Sequence, residues 1–104
     1  MSDAKQTLTD EQIAQSIPRG WRHEDDTLTA RYATGDFATG LALVDRIGAS
    51  AEEANHHPDL TLTYPEVGVT LSSHDVGGVT QRDLDLARTV QEHADALGVR
   101  TVES

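Results

Sequence analysis

Apolar positions change their period several times along this chain, and each change marks the edge of an element. In LTDEQIAQSI, Leu8 and Ile13 flank Thr9, with Gln12 three residues after the threonine. That is a capping box with staple spacing, and it predicts a helix that begins after Thr9 and ends by Pro18 and Gly20. Leu28, Ala30 and Tyr32 then alternate with Thr27, Thr29 and Arg31. This period of two predicts a half-buried strand, paired with Trp21 to His23 across a turn at Asp25 and Asp26.

From Asp36 the period lengthens. Phe37, Leu41, Val44, Ile47, Ala51 and Ala54 are spaced as one face of a helix of about five turns. Gly40 and Gly48 interrupt it. Each costs about 1 kcal/mol against alanine, so close packing is expected at both. Pro58 disfavours a helical His57, which stops the helix near Asn55 or His56. Two strands follow around a turn at Pro65 and Glu66, with Leu60, Leu62 and Tyr64 on one side of the first and Val67, Val69 and Leu71 on one face of the second. Thr80 caps a last helix with Asp83 at the third position and Val79 and Leu84 at staple spacing; Leu84, Ala87, Val90, Ala94 and Leu97 form its buried stripe, and Gly98 stops it. The order helix, two strands, helix, two strands, helix predicts an α+β domain with helices on one face of a small antiparallel sheet.

The chain has 104 residues, enough for one domain with its own core, 1–104. Aromatic residues are few, so aliphatic side chains must fill that core. Acidic residues outnumber basic ones by 18 to 8, and the formal charge of −10 argues against nucleic-acid and anionic-membrane partners. Cysteine is absent, which excludes disulfides and thiolate metal centres and is compatible with a reducing cytoplasm. The polar start MSDAKQTLTDEQ lacks the apolar core of a signal peptide, and no run is long enough to span a membrane.

Candidate chemistry concentrates in EEANHHPDL, where His56 and His57 stand side by side before Pro58. His56 lies at a helix C-terminus, where a cation is favoured, and Glu52 lies one turn upstream, in reach of it. A carboxylate on one ring nitrogen fixes which nitrogen carries the proton. His57 points elsewhere as the chain leaves the helix. His74 ends a strand just before Gly77 and Gly78, where sites are commonly built. Simpler roles compete: a terminal histidine as a helix cap, and Asp83 as the capping partner of Thr80. His56, His57, His74 and Asp75 are all of metal-ligand type, but adjacent side chains diverge and no HxH or HxxxH spacing occurs, so no metal centre is expected. Ser72 and Ser73 lie near His74 without a nucleophile-elbow motif. His23 and His93 are isolated, and His93 reads as the solvated side of a helix.

From Ala51 to Ala87 the chain resembles the pterin-4a-carbinolamine dehydratases. Their pattern of an acid, His, a second His or Asn, Pro, an aromatic, a later His and then Asp is met by Glu52, His56, His57, Pro58, Tyr64, His74 and Asp83, and GGVTQRDLDLA resembles the family's final helix. One departure is Leu60, where the family often has tryptophan. The resemblance implies four antiparallel strands with three helices on one side. It also implies the loss of water from a 4a-hydroxytetrahydropterin by histidine acid–base chemistry, with no metal or organic cofactor. Under it, His56 and His74 are the proton-transfer groups, and Glu52 holds His56. His57 binds the pterin, and Asp83, Asp75 and Ser73 belong to substrate binding. A homo-oligomer, dimer or tetramer, in the cytoplasm is expected. The family fold also occurs as non-catalytic binding or assembly-chaperone modules, which is the alternative.

Overall fold

Strand alternation sorts this molecule into a buried layer and an open one. The computed structural model describes residues 6–102. Its elements are α1 (Asp10–Ser16), β1 (Arg22–Glu24), β2 (Thr27–Ala33), α2 (Phe37–Ala54), β3 (Asp59–Leu62), β4 (Glu66–Leu71), α3 (Gln81–Leu97) and β5 (Arg100–Thr101). The polar start and the last two positions of the expected 1–104 domain, residues 1–5 and 103–104, lie outside the described residues. Strands run antiparallel in the order β1-β2-β4-β3, and β5 also pairs with β2. The register sets Leu28 against Leu71, Ala30 against Val69 and Tyr32 against Val67, while Leu60 and Leu62 meet Val69 and Val67. Side chains alternate along a strand, so all of these share one face. There they pack with Ile13, Leu43, Ile47, Leu84, Ala87 and Val90 from the three helices. Thr29, Arg31, Thr61 and Thr70 occupy the opposite face and keep contact with solvent.

The α+β class and the three helices agree with the sequence pattern, but the sheet has a fifth strand. After the left-handed cap at Gly98 (φ 72°), Val99 tucks into the core and Arg100–Thr101 pair with Ala33 and Tyr32. β1 covers Thr27–Thr29 of the same β2 edge, so β1 and β5 lie end to end along it. Two residues are too few to show an alternation, which is why β5 was invisible in the pattern. The expected capping boxes at Thr9 and Thr80 are both formed. At the base of the core, Trp21 Nε1 donates to Tyr32 Oη at 2.8 Å, and that hydroxyl donates to Gln91 Oε1 at 2.8 Å. Burial pushes the Tyr32 phenol well above the ordinary tyrosine range, so it stays a donor.

The buried face of α2 is rotated from the expected one. It consists of Gly40, Leu43, Ile47 and Ala51, whereas Phe37 and Leu41 are 46% and 52% exposed, Val44 is half-buried and Ala54 is exposed. Two apolar stripes overlap on this helix, and the gap at Gly40 decides between them. A Cβ there would stand 2.7 Å from Leu62 Cδ1, 3.3 Å from Thr34 Oγ1 and 3.4 Å from Val67 Cγ2. Close packing therefore explains Gly40. It does not explain Gly48, where a Cβ would meet nothing within 4 Å. Gly48→Ala is expected to stabilise the fold by about 0.5–1 kcal/mol, since it restricts only the unfolded chain. Gly40→Ala should lose that gain to the clash with Leu62. Thermal unfolding of the two variants checks this, and an equal rise in Tm for both would refute the packing account.

Candidate active site

The end of α2 decides where the paired histidines point. Asn55 takes the left-handed conformation (φ 51°, ψ 41°), and its N–H and that of His56 close back on the last helical carbonyls. This reversal removes His56 from the helical repeat, so the one-turn spacing to Glu52 no longer brings those two together. His56 instead folds inward onto the start of α3, with Nε2 2.5 Å from Asp83 Oδ1; its side chain is 10% exposed and that of Asp83 is 0% exposed. Glu52 pairs with His57, and both are largely exposed. The expected Glu52–His56 pair is thus corrected: Asp83 is the carboxylate on His56, and Glu52 is the carboxylate on His57.

Asp83 holds His56 because it is itself held. Its Oδ2 accepts from the Thr80 backbone N–H at 2.9 Å and from Ser73 Oγ at 2.8 Å. Ser73 and Thr80 hydroxyls are also 2.8 Å apart. A carboxylate only accepts, so the Ser73 proton goes to Asp83 and the Thr80 proton to Ser73. One carboxylate therefore closes the capping box of α3 and orients a histidine from α2. Ser73 and Thr80 are buried like Asp83. The side chains of Ser73 and Asp83 are turned into this network, behind His56 rather than toward an open surface.

Between α2 and α3 lies a cavity of about 410 Å³. Ser50, Glu53 and His56 line one wall, and Arg82, Asp85 and Thr89 line the other, with Ala54 and Leu86 as apolar contacts. Its size suits a small molecule. Of the candidate site residues named from the sequence, His56 alone lines it. His74 does not end a strand: β4 stops at Leu71, and His74 sits exposed in the turn from Ser73 to Gly78, 3.4 Å from Ser72 Oγ. Asp75, in the same turn, accepts from Arg82 Nη2 at 2.8 Å, which ties the turn to the cavity wall. His93 is not simply solvated, since its Nε2 is 2.7 Å from Ser50 Oγ, behind the same groove.

Sequence reasoning passed over Glu53 and Arg82. Glu53 lies three residues before His56, and Arg82 is the cation of the TQRD segment in a strongly acidic chain. Among the described residues, no group of three or more histidine, aspartate or glutamate side chains is arranged to hold a metal ion.

Comparison with known proteins follows the same fold. The family model described as Pterin 4 alpha carbinolamine dehydratase matches residues 6–93. A protein of Halobacterium salinarum named "Putative pterin-4-alpha-carbinolamine dehydratase" is 38% identical over 85 residues, covering 82% of this chain and 93% of its own. One of the same name from Thermomicrobium roseum is 43% identical over 82 residues, covering 79% of this chain and 87% of its own. The crystal structure of a transcriptional coactivator/pterin dehydratase from Brucella melitensis superposes with a TM-score of 0.80 at 29% identity, over 86% of this chain and 99% of that one. A pterin dehydratase-like protein identified as a RuBisCO assembly factor in the alpha-carboxysome superposes with a TM-score of 0.59 at 25% identity, over 71% of this chain and 86% of its own.

Proposed function

This chain belongs to the pterin-4α-carbinolamine dehydratase family, and we propose that it removes water from a 4a-hydroxytetrahydropterin to give the quinonoid dihydropterin. The observation that carries the proposal is His56 oriented by the buried Asp83 at the edge of a cavity of ligand size. In the reaction the C4a–O bond breaks, the departing hydroxide takes up a proton, and a ring N–H gives one up. Histidine suits both transfers near neutral pH. With Nε2–H committed to Asp83, Nδ1 is the His56 nitrogen left for substrate. His74 is the second proton-transfer group, on the turn that Asp75 and Arg82 anchor to the cavity wall. His57, oriented by Glu52, contacts the pterin from the exposed side. Asp83 and Ser73 act through His56, and Asp75 acts through Arg82. The side chains of this protein carry the chemistry, without metal or organic cofactor.

A homo-oligomer, dimer or tetramer, acting in the cytoplasm completes the proposal. Phe37, Leu41 and Tyr64 leave apolar surface exposed that a second copy would cover, and sedimentation equilibrium reads the assembly. The principal experiment is an absorbance assay of dehydration with a synthetic 4a-hydroxytetrahydropterin. Protein treated with a chelator is expected to keep its activity. Activity lost on chelation and restored by zinc would overturn the acid–base proposal. Folded protein that binds pterin without dehydrating the carbinolamine would instead support a non-catalytic binding or assembly module.

A further inference from the structure

We propose that Glu53 recognises the amino–amide edge of the substrate, an assignment that rests on the pterin function proposed above. Glu53 stands in the last turn of α2, three residues before His56, and lines the same cavity. Other carboxylates around the site are engaged. Glu52 pairs with His57, Asp75 with Arg82, and Asp83 with His56, Ser73 and Thr80. Asp85, on the facing wall, accepts from Gln81 Nε2 at 2.9 Å and lies 3.8 Å from Arg88 Nη1. Glu53 has no hydrogen-bond or ion-pair partner among the described residues, so its two oxygens are left for a ligand.

The chemistry of a pterin fits that wall. Its pyrimidine edge presents the 4-oxo acceptor, the N3–H donor and the 2-amino donor in a row. A carboxylate accepts two parallel N–H bonds, which matches N3–H and the 2-amino group. Arg82, on the opposite wall, has five N–H donors and uses Nη2 on Asp75 and Nε on Thr80 Oγ1, so donors remain for the 4-oxo group. Glu53 and Arg82 line the same cavity, and the pterin edge offers N–H donors to the one and an oxo acceptor to the other. C4a is bonded to C4, so the contact of Arg82 with the 4-oxo group sets the reacting carbon one bond from that anchor, within the cavity that His56 lines. Glu53 is a binding residue, and its contacts are the same in ground and transition states. Its loss should raise KM and leave kcat little changed.

Two stable fluorescent probes test the assignment: pterin, with its 2-amino group, and lumazine, with a 2-oxo group that would set an acceptor against the carboxylate. Fluorescence titration is done at a pH where both rings are neutral. Wild-type protein should bind pterin about tenfold or more tightly than lumazine, a modest factor because Glu53 is exposed. Glu53→Gln should bring that ratio close to one, with circular dichroism unchanged, and Glu53→Asp should restore part of it. Asp85→Asn should keep the wild-type ratio. If the wild type prefers pterin and Glu53→Gln keeps that preference, the assignment to Glu53 is wrong while the pterin function stands; collapse of the ratio in Asp85→Asn alone would move the role across the cavity. If the wild-type protein binds neither probe, the pterin function fails and this assignment falls with it.

Discussion

Asp83→Ala is expected to unfold far more easily than the wild type and to lose the proposed dehydratase activity. The side chain is fully buried and satisfies three donors at once: His56 Nε2, Ser73 Oγ and the Thr80 backbone N–H. Truncation leaves all three facing a void. Each buried group left without a partner costs about 1–3 kcal/mol, and partial rearrangement of the hydroxyls recovers some of it, so a loss of about 3 kcal/mol or more is expected. Urea unfolding followed by circular dichroism measures this. Asp83→Asn separates the structural part from the chemical part. Its amide oxygen can serve Ser73 and Thr80, and its amide nitrogen then faces His56 and requires an acceptor there. The proton of the imidazole must move to Nδ1, so the nitrogen left for substrate is presented in the wrong form. Stability should fall by only about 1 kcal/mol while kcat falls roughly 10²-fold or more. Wild-type turnover in a folded Asp83→Asn protein would show that the tautomer of His56 does not matter to the reaction.

This double duty of Asp83 was only half legible in the sequence. Thr80 and Asp83 carry a local signal, because a capping box is defined by a spacing of three. The same holds for Thr9 and Gln12, and for the alternation that put Leu28, Ala30 and Tyr32 on one face. The link from Asp83 to His56 joins residues 27 apart and has no local signature. Sequence spacing pointed instead to Glu52, because the i,i+4 rule holds only while the helix continues. The left-handed Asn55 ends that continuity one residue too early for His56. The rotated face of α2 has a similar origin. Leu41, Leu43 and Val44 are all apolar, so periodicity alone accepts either stripe. The choice falls to Gly40, whose missing Cβ lets Leu62 approach. Pattern thus carried the elements except β5, and long-range packing decided which side chains meet.

Removal of His56 is expected to give the largest effect on turnover, and the form of the substitution matters. His56→Ala deletes the proposed proton-transfer group, so kcat should fall by roughly 10²-fold or more, with a smaller change in KM. It also deprives the buried Asp83 of a donor, which weakens the fold by about 1–3 kcal/mol. His56→Gln avoids the second effect. Its amide N–H can replace the Nε2–H toward Asp83, but an amide cannot take or give a proton near neutral pH. Activity should therefore be lost in His56→Gln while urea unfolding stays closer to wild type than in His56→Ala. His74→Ala should also lower kcat, with little change in stability, since its ring is exposed and its nearest hydrogen-bonding neighbour is 3.4 Å away. His57→Ala should act mainly on KM, because its exposed ring is assigned a contact that persists from ground state to transition state. Adjacent histidines at this helix end would then fail in different ways: one inward and held by a buried acid, the other outward and held by Glu52. Folded His56→Gln and His74→Ala proteins that both turn over at the wild-type rate would remove the histidines from the chemistry. The binding-module alternative would then be the better account of the fold.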